Sequence, residues 1–327
     1  MNIDLEQLPK ARLDFVTPML ARPVNELPDG TGWIYELKLD GYRVLVLKTR
    51  GNVTLFSRRG NNFSNNYPTI TRAFSFLPDD TMVDGELVVL DEQGRPSFSA
   101  LQKSRFTPNA LQFYVFDVLT YQGWDLRKLP LVERRELLED YVLKDMRDPI
   151  RLSPAFDTSP KRLIAVARKS GLEGVIGKRA DSRYESGERS GAWVKYKTNK
   201  GQELVIGGYK PGTTGFEYLL VGYYEGKDLI FIAKIRNGFT RSLRLEIAKN
   251  FPKLRSSVCP FANLPEPASA RRGEAITREV MAKIQWLRPK LVAQIEFTEW
   301  TKGNHLRHSK FVGLRVDKKA TEVLKEH

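Results

Sequence analysis

Cysteine is nearly absent from this 327-residue chain. Cys259 stands alone, which excludes an intramolecular disulfide and a four-cysteine zinc site. A reducing, cytoplasmic setting is expected. No stretch approaches the roughly 18 consecutive apolar residues of a membrane helix, so no membrane partner is expected. Residues 1–10 hold Asp4 and Glu6 and no apolar core, and no secretion leader is expected. Internal repeats, low-complexity tracts and long runs of one charge are missing too. Without heptads or an obvious interaction helix, a monomer is expected.

Positive charge is present in excess. Lysine and arginine number 53 against 39 aspartate and glutamate, a net charge of +14. Each phosphate that such a surface neutralises releases condensed counterions, so a polyanion is the expected partner, nucleic acid ahead of other choices. Hydrophobic residues make up 41% and charged residues 28%, the balance of an ordinary globular protein. The length suits about two domains of roughly 100–200 residues.

Residues 1–200 read as strands with a few helices. Ser159-Pro160 opens a helix, with Leu163, Ile164 and Ala167 on one side and Gly171 at its end. A second helix is expected over 131–142, after Pro130. Strands are expected at 34–40, 44–48, 83–90, 113–119, 174–178 and 193–197. A domain boundary falls at 198–202, giving domains 1–200 and 201–327, with a hinge near Lys200. Strands at 204–209, 218–224, 229–234 and 291–300, a helix from Thr240 to Phe251 and a Pro-rich loop at 259–270 suit a small β-barrel.

The densest chemistry lies in Glu36-Leu37-Lys38-Leu39-Asp40-Gly41-Tyr42-Arg43. In an extended strand Glu36, Lys38 and Asp40 share a face while Tyr35, Leu37 and Leu39 pack the other way. Read by charge alone, this is a solvated face with a local ion pair. The string resembles the K-x-D-G-x-R motif of covalent nucleotidyltransferases: DNA ligases, RNA ligases and mRNA-capping enzymes. Five further elements follow in family order. Ser57-Arg58-Arg59-Gly60 resembles S-R-x-G, otherwise a basic turn. Asp84-Gly85-Glu86 resembles the D-G-E strand. Phe113–Val118 resembles the aromatic segment, although strand packing explains it equally well alone. Glu173–Lys178 resembles E-G-[VIL]-[VIM]-x-K. Trp193-Val194-Lys195-Tyr196-Lys197 resembles W-x-K-x-K, with Arg189 upstream.

The resemblance implies a fold and a set of roles. The fold is α+β: an adenylyltransferase (ATP-grasp-like ligase) domain of mixed, mainly antiparallel sheets with flanking helices, then an OB-fold barrel. Lys38 would attack the α-phosphate of ATP, carry AMP covalently and pass it to the 5′-phosphate of nicked duplex DNA, whose 3′-hydroxyl then seals the strand. A lysine suits this once neutral, and nearby cations or a metal would lower its proton affinity. Mg²⁺, with Mn²⁺ able to substitute, would be held by Glu86 and Glu173 with support from Asp40. Arg58, Lys178, Lys195 and Lys197 would neutralise phosphates. Phe116 would stack on adenine, and Glu36, Arg43 and Arg189 would contact the nucleotide.

The C-terminal strings Phe297–Thr301, His305–His308 and Gly313–Lys318 resemble the ligase domain of bacterial end-joining DNA ligases. Arg315 and Lys318 would contact phosphates with Asp317 positioning them, and His305 and His308 would meet DNA or phosphate rather than a metal. A minimal two-domain ATP-dependent DNA ligase acting in repair or end joining is therefore expected, with DNA-end-binding or repair proteins as partners. An RNA ligase or capping-type enzyme is the alternative, followed by a non-catalytic DNA-binding scaffold. An NAD-dependent ligase is disfavoured, because its zinc module needs cysteines this chain lacks.

Overall fold

Alternation along the strands decides how the first part of the chain layers. In Tyr42–Thr49, Val44 and Val46 point into one buried cluster with Leu55, Phe74 and Phe113, while Leu45 and Leu47 join a second with Met19, Met82, Leu119 and Trp193. A strand buried on both faces lies in the middle of a layered domain. The computed structural model describes residues 4–102, 110–198, 201–267, 275–301 and 303–326. It divides into two compact units, Met1–Thr198 and Asn199–Glu326.

The first unit holds two sheets. One runs in the order Asn52–Ser57, Tyr42–Thr49, Thr81–Val89, Leu111–Tyr121, Trp124–Asp125, with Ile150–Leu152 also on Leu111–Tyr121. The other runs Arg22–Pro23, Trp193–Lys197, Gly174–Arg179, Trp33–Lys38, Ala155–Phe156. Pairing is antiparallel except for Arg22–Pro23 and Ile150–Leu152. The edge strands of the second sheet are two residues long. The strand expected to run through Asp40 stops at Lys38. There the chain leaves one sheet for the other, and only glycine fits at 41, where a Cβ would lie 2.2 Å from the Leu87 carbonyl.

Helix Pro160–Lys169 covers the outer face of the second sheet. The Ser159 hydroxyl accepts the Arg162 N–H, and Gly171 follows at φ +67°. Its Leu163 and Ala167 pack against Tyr35, Val175 and Val194, each large apolar side chain contributing about 1.5–3 kcal/mol. The helix expected over 131–142 is α-helical only over Leu131–Leu137, then widens to a π turn over Leu138–Val142. The Leu143 N–H reaches back to the Leu138 carbonyl, and the wider turn brings Leu138, Val142 and Leu143 into one core.

The second unit is built on Gly201–Gly212, Gly215–Glu225, Asp228–Ile235 and Gln285–Glu296, with Arg255–Ser256 and Lys310–Leu314 on the last of these. The Asn237 carbonyl accepts the Phe311 N–H at 2.9 Å and a bridge joins Asn237 to Lys310, so the sheet closes on itself as a small barrel. Thr240 caps a helix that ends at Ala248, short of Phe251. The strand expected from 291 already begins at Gln285 and breaks after Glu296. Pro289 misleads a local reading here: the register jumps from Ile206↔Leu291 to Gly208↔Trp286, so the proline faces a gap in the ladder. Part of the expected Pro-rich loop, 268–270, lies outside the described residues.

Candidate active site

Strand register fixes which side chains meet. Gly174–Arg179 pairs with both Trp33–Lys38 and Trp193–Lys197, and directly paired residues share a face. Three rows result on the inner face: Lys38, Gly174 and Lys197; Glu36, Ile176 and Lys195; Ile34, Lys178 and Trp193. The opposite face carries Tyr35, Leu37, Val175 and Tyr196 and belongs to the helix-covered core. Gly174 leaves the place between the two lysines without a side chain, and a Cβ there would lie 1.9 Å from the Tyr196 carbonyl.

Lys38 donates to Glu173 Oε2 at 2.6 Å. Burial works against its ammonium, but Glu173, then Glu86 and Asp40, outweigh burial and hold Lys38 above the ordinary lysine value. The carboxylates around it thus favour the charged form of the lysine. The three carboxylates expected to hold metal all act on Lys38. Among the described residues, no cluster of three or more acidic, histidine or cysteine side chains is set as a metal cage. Mg²⁺ usually takes one or two carboxylates and completes its shell with phosphate oxygens and water, which this donor set fits.

The facing sheet contributes the rest. Arg43 and Glu86 are directly paired. The Arg43 guanidinium gives Nε and Nη2 to Asp84 at 3.0 and 2.6 Å and Nη1 to the Met19 carbonyl. Tyr184 donates to Asp84 at 2.7 Å; burial and then the Asp84 carboxylate push its phenol well up, so it stays a donor. Phe116 sits at a register shift between Asp84↔Asp117 and Gly85↔Val115, which turns its ring toward Trp193, 6.2 Å away and edge-on. Arg58 occupies the turn after Asn52–Ser57, where the buried Ser57 hydroxyl accepts from the Arg59 and Asn61 N–H groups and Gly60 takes φ +79°.

Lys178 stands apart from the other lysines. Its row lies four residues from that of Lys38, about 13 Å at ~3.3 Å per residue. Its Nζ meets Glu36 at 2.8 Å and lies 4.3 Å from the Phe116 ring centre and 4.5 Å from that of Trp193. Burial pulls its ammonium below the ordinary value against the opposing pull of Glu36. The position is at the ring end of the face, not beside Lys38. Glu36 is 2% exposed and is held by Arg135, Lys178 and Ser153. Arg189 is exposed in the loop before Trp193–Lys197.

In the second unit Arg315 binds Asp317 through two bonds of 2.8 and 2.7 Å, and Lys318 pairs with Glu203 at 3.2 Å. His305, expected to meet DNA or phosphate, is instead tied inside its unit. Its Nδ1 lies 2.8 Å from the Ile232 carbonyl and its Nε2 3.1 Å from Glu266. His308 is exposed, at φ +51°. A local reading also missed Tyr184, Arg134 and Arg135, and gave Asp84 of the D-G-E element no partner. The one available signal for the two arginines was spacing: Arg134 and Arg135 fall three and four residues after the buried Leu131, on the same side of helix Leu131–Leu137.

A lysine ringed by carboxylates on a sheet face, two lysines on the second strand over, aromatic rings opposite and a closed barrel downstream define a two-domain nucleotidyltransferase architecture, α+β with a C-terminal OB-fold. The family model of the ATP dependent DNA ligase domain matches residues 18–197, and that of the ATP dependent DNA ligase C terminal region matches residues 212–318. The multifunctional non-homologous end joining protein LigD of Pseudomonas aeruginosa is 37% identical over 322 residues, covering 96% of this chain and 37% of that protein. The LigD of Mycobacterium tuberculosis is 36% identical over 299 residues, covering 90% of this chain and 37% of that protein. A solved structure of mycobacterial DNA ligase D complexed with ATP and MES superposes with a TM-score of 0.65 at 33% identity, covering 95% of this chain and 98% of that one. The chain belongs to the ATP-dependent DNA ligase family. It spans little more than a third of the length of the two LigD proteins.

Proposed function

We propose that this chain seals nicks in duplex DNA through AMP carried on Lys38, using ATP and Mg²⁺, in end joining or another repair pathway. The observation that carries this reading is the strand register, which sets Lys38 beside Glu173 with Lys195 and Lys197 on the same face. Before attack, Lys38 must give up its proton and its pairing with Glu173. Glu173, Glu86 and Asp40 are the carboxylates to hold the metal, which supplies charge neutralisation at phosphorus. Lys38 gives its proton to solvent, and the freed electron pair of its amine forms the N–P bond to the α-phosphate as the bond from that phosphorus to pyrophosphate breaks. Lys195, Lys197 and Arg58 neutralise phosphate oxygens.

Phe116 offers its ring to adenine, with Glu36, Arg43, Lys178 and Arg189 as further nucleotide contacts. Arg315 and Lys318 are proposed phosphate ligands, which requires them to exchange Asp317 and Glu203. Among the described residues no helix is long and apolar enough to cross a membrane, and a cytoplasmic location goes with a DNA substrate. The net charge of +14 suits a DNA backbone, and proteins that bind DNA ends are the proposed partners.

The test discharges any carried AMP with pyrophosphate, then supplies Mg²⁺ and α-labelled ATP, with GTP and NAD in parallel. Covalent label from ATP that is lost in Lys38→Ala and chases onto nicked DNA is the expected result. Label from GTP would move the assignment to a capping-type enzyme. DNA binding without any label would leave a scaffold.

A further inference from the structure

Neighbouring residues on an α-helix leave its axis about 100° apart, so two consecutive long side chains reach in different directions. Helix Leu131–Leu137 uses this with Arg134 and Arg135. Arg134, fully buried, gives Nε and Nη2 to the two Asp117 oxygens, each at 2.8 Å, and Nη1 to the carbonyls of Leu129 at 2.6 Å and Ser182 at 2.9 Å. Asp117 follows Phe116 in the six-stranded sheet. Arg135 turns to the other sheet. Its Nη1 reaches Glu36 Oε1 at 2.7 Å, and its Nη2 reaches the Ser153 carbonyl at 3.0 Å and Glu139 at 3.4 Å. The same Glu36 oxygen takes Lys178 Nζ at 2.8 Å, and the other takes the Ser153 hydroxyl at 3.1 Å. One turn of helix thereby fixes the residue next to the aromatic ring on one wall and the carboxylate two residues before Lys38 on the other.

Stability alone does not account for this arrangement. Buried ion pairs are commonly matched or bettered by apolar side chains of similar volume. What an apolar helix would not do is point the Glu36 carboxylate and, through it, hold the Lys178 ammonium against the Phe116 ring. We propose that Arg135 is a positioning residue for nucleotide binding, acting through Glu36 and Lys178, and that Arg134 anchors the same turn against the strand that carries Phe116. This rests on the reading above that ATP occupies the face between these walls. Arg135 touches no nucleotide in this scheme. It sets the direction of groups that do.

The test follows the rate of label transfer from ATP to Lys38 in the whole chain as ATP is varied. Arg135→Met raises KM roughly ten- to a hundredfold, the loss expected of one misdirected charge-assisted hydrogen bond, with a much smaller change in the maximal rate. Arg135→Lys, which keeps a cation but reaches one partner at a time, recovers part of the loss. In a Glu36→Gln background Arg135→Met has little further effect, because the path runs through that carboxylate. Should Arg135→Met fail to fold, Ser153→Ala removes one Glu36 contact and shifts KM in the same direction by less. An unchanged KM with a lowered melting temperature would reduce Arg135 to a brace. An undiminished effect in the Glu36→Gln background would overturn the path. Wild-type protein that takes no label from ATP would defeat the functional reading itself, and that outcome is distinct from a labelled wild type with indifferent Arg135 variants.

Discussion

Replacing Asp117 with asparagine removes one half of an ion pair that has no access to water. Both side chains of the Arg134–Asp117 pair are 0% exposed, and two parallel bonds of 2.8 Å join them. Asparagine keeps one acceptor but turns an amide N–H₂ toward a guanidinium N–H, donor against donor. The guanidinium is left charged and uncompensated, which costs about 3–5 kcal/mol. Set against a total stability of about 5–15 kcal/mol, that is a large share. The complementary change, Arg134→Met, strands the Asp117 carboxylate and the carbonyls of Leu129 and Ser182. A stranded carboxylate sheds its charge by taking up a proton, whereas a guanidinium does not. The Arg134→Met penalty therefore eases as the pH is lowered, and the Asp117→Asn penalty does not. Urea unfolding at several pH values gives both costs, with hydrogen exchange over Leu131–Leu137 assigning the transition to the first unit. An Asp117→Asn cost below about 1 kcal/mol, or an identical pH response in the two variants, would refute the assignment of a buried, uncompensated charge.

Glu173→Gln takes away the partner 2.6 Å from Lys38, so Lys38 should react faster with a neutral amine-directed reagent. Label from ATP and Mg²⁺ should fall at the same time by roughly tenfold or more, and movement of both assays in one direction would count against Glu173 acting on metal and lysine together. Burial opposes ionisation of Asp317, but Arg315 outweighs it and holds the carboxyl below its ordinary value. A lowered folded value stabilises above the unfolded value and is lost as pH falls through it. The second unit should therefore lose this contribution only in acid, below about pH 4, and Asp317→Asn should flatten the acid limb of its unfolding curve. Ser159→Ala removes the acceptor for the Arg162 N–H and should cost about 1 kcal/mol in thermal unfolding.

Periodicity made much of the architecture legible. Alternation in Trp33–Lys38 and Trp193–Lys197 already separates the lysine face from the apolar face, and Ser159-Pro160 announces its helix. Ordered motifs named Lys38, Glu173, Lys195 and Lys197 together, and the register brings the three lysines onto one sheet face, with Glu173 bonded to Lys38. Features that depend on distant partners were hidden. Lys178 looks like one more phosphate-binding cation until Glu36, 142 residues away in sequence, and two aromatic rings are found around it. Arg135 finds the same Glu36 across 99 residues. The neighbours of His305 were hidden for a similar reason, since its ring nitrogens lie against the Ile232 carbonyl and Glu266, both distant in sequence. Local rules also failed at Pro289, where a bulge in its own strand accommodates a residue that ordinarily ends strands.

The sheet that carries Lys38 is finished at both sides by strands of only two residues, Arg22–Pro23 and Ala155–Phe156. An exposed strand edge is a template on which another chain can add itself, and length is what makes the template effective. Two rungs, one of them a proline without an N–H, offer a neighbouring molecule almost nothing to pair with. The face that carries Lys38 is thereby kept from inviting a foreign strand, and self-association through this sheet is discouraged by geometry instead of by added charge.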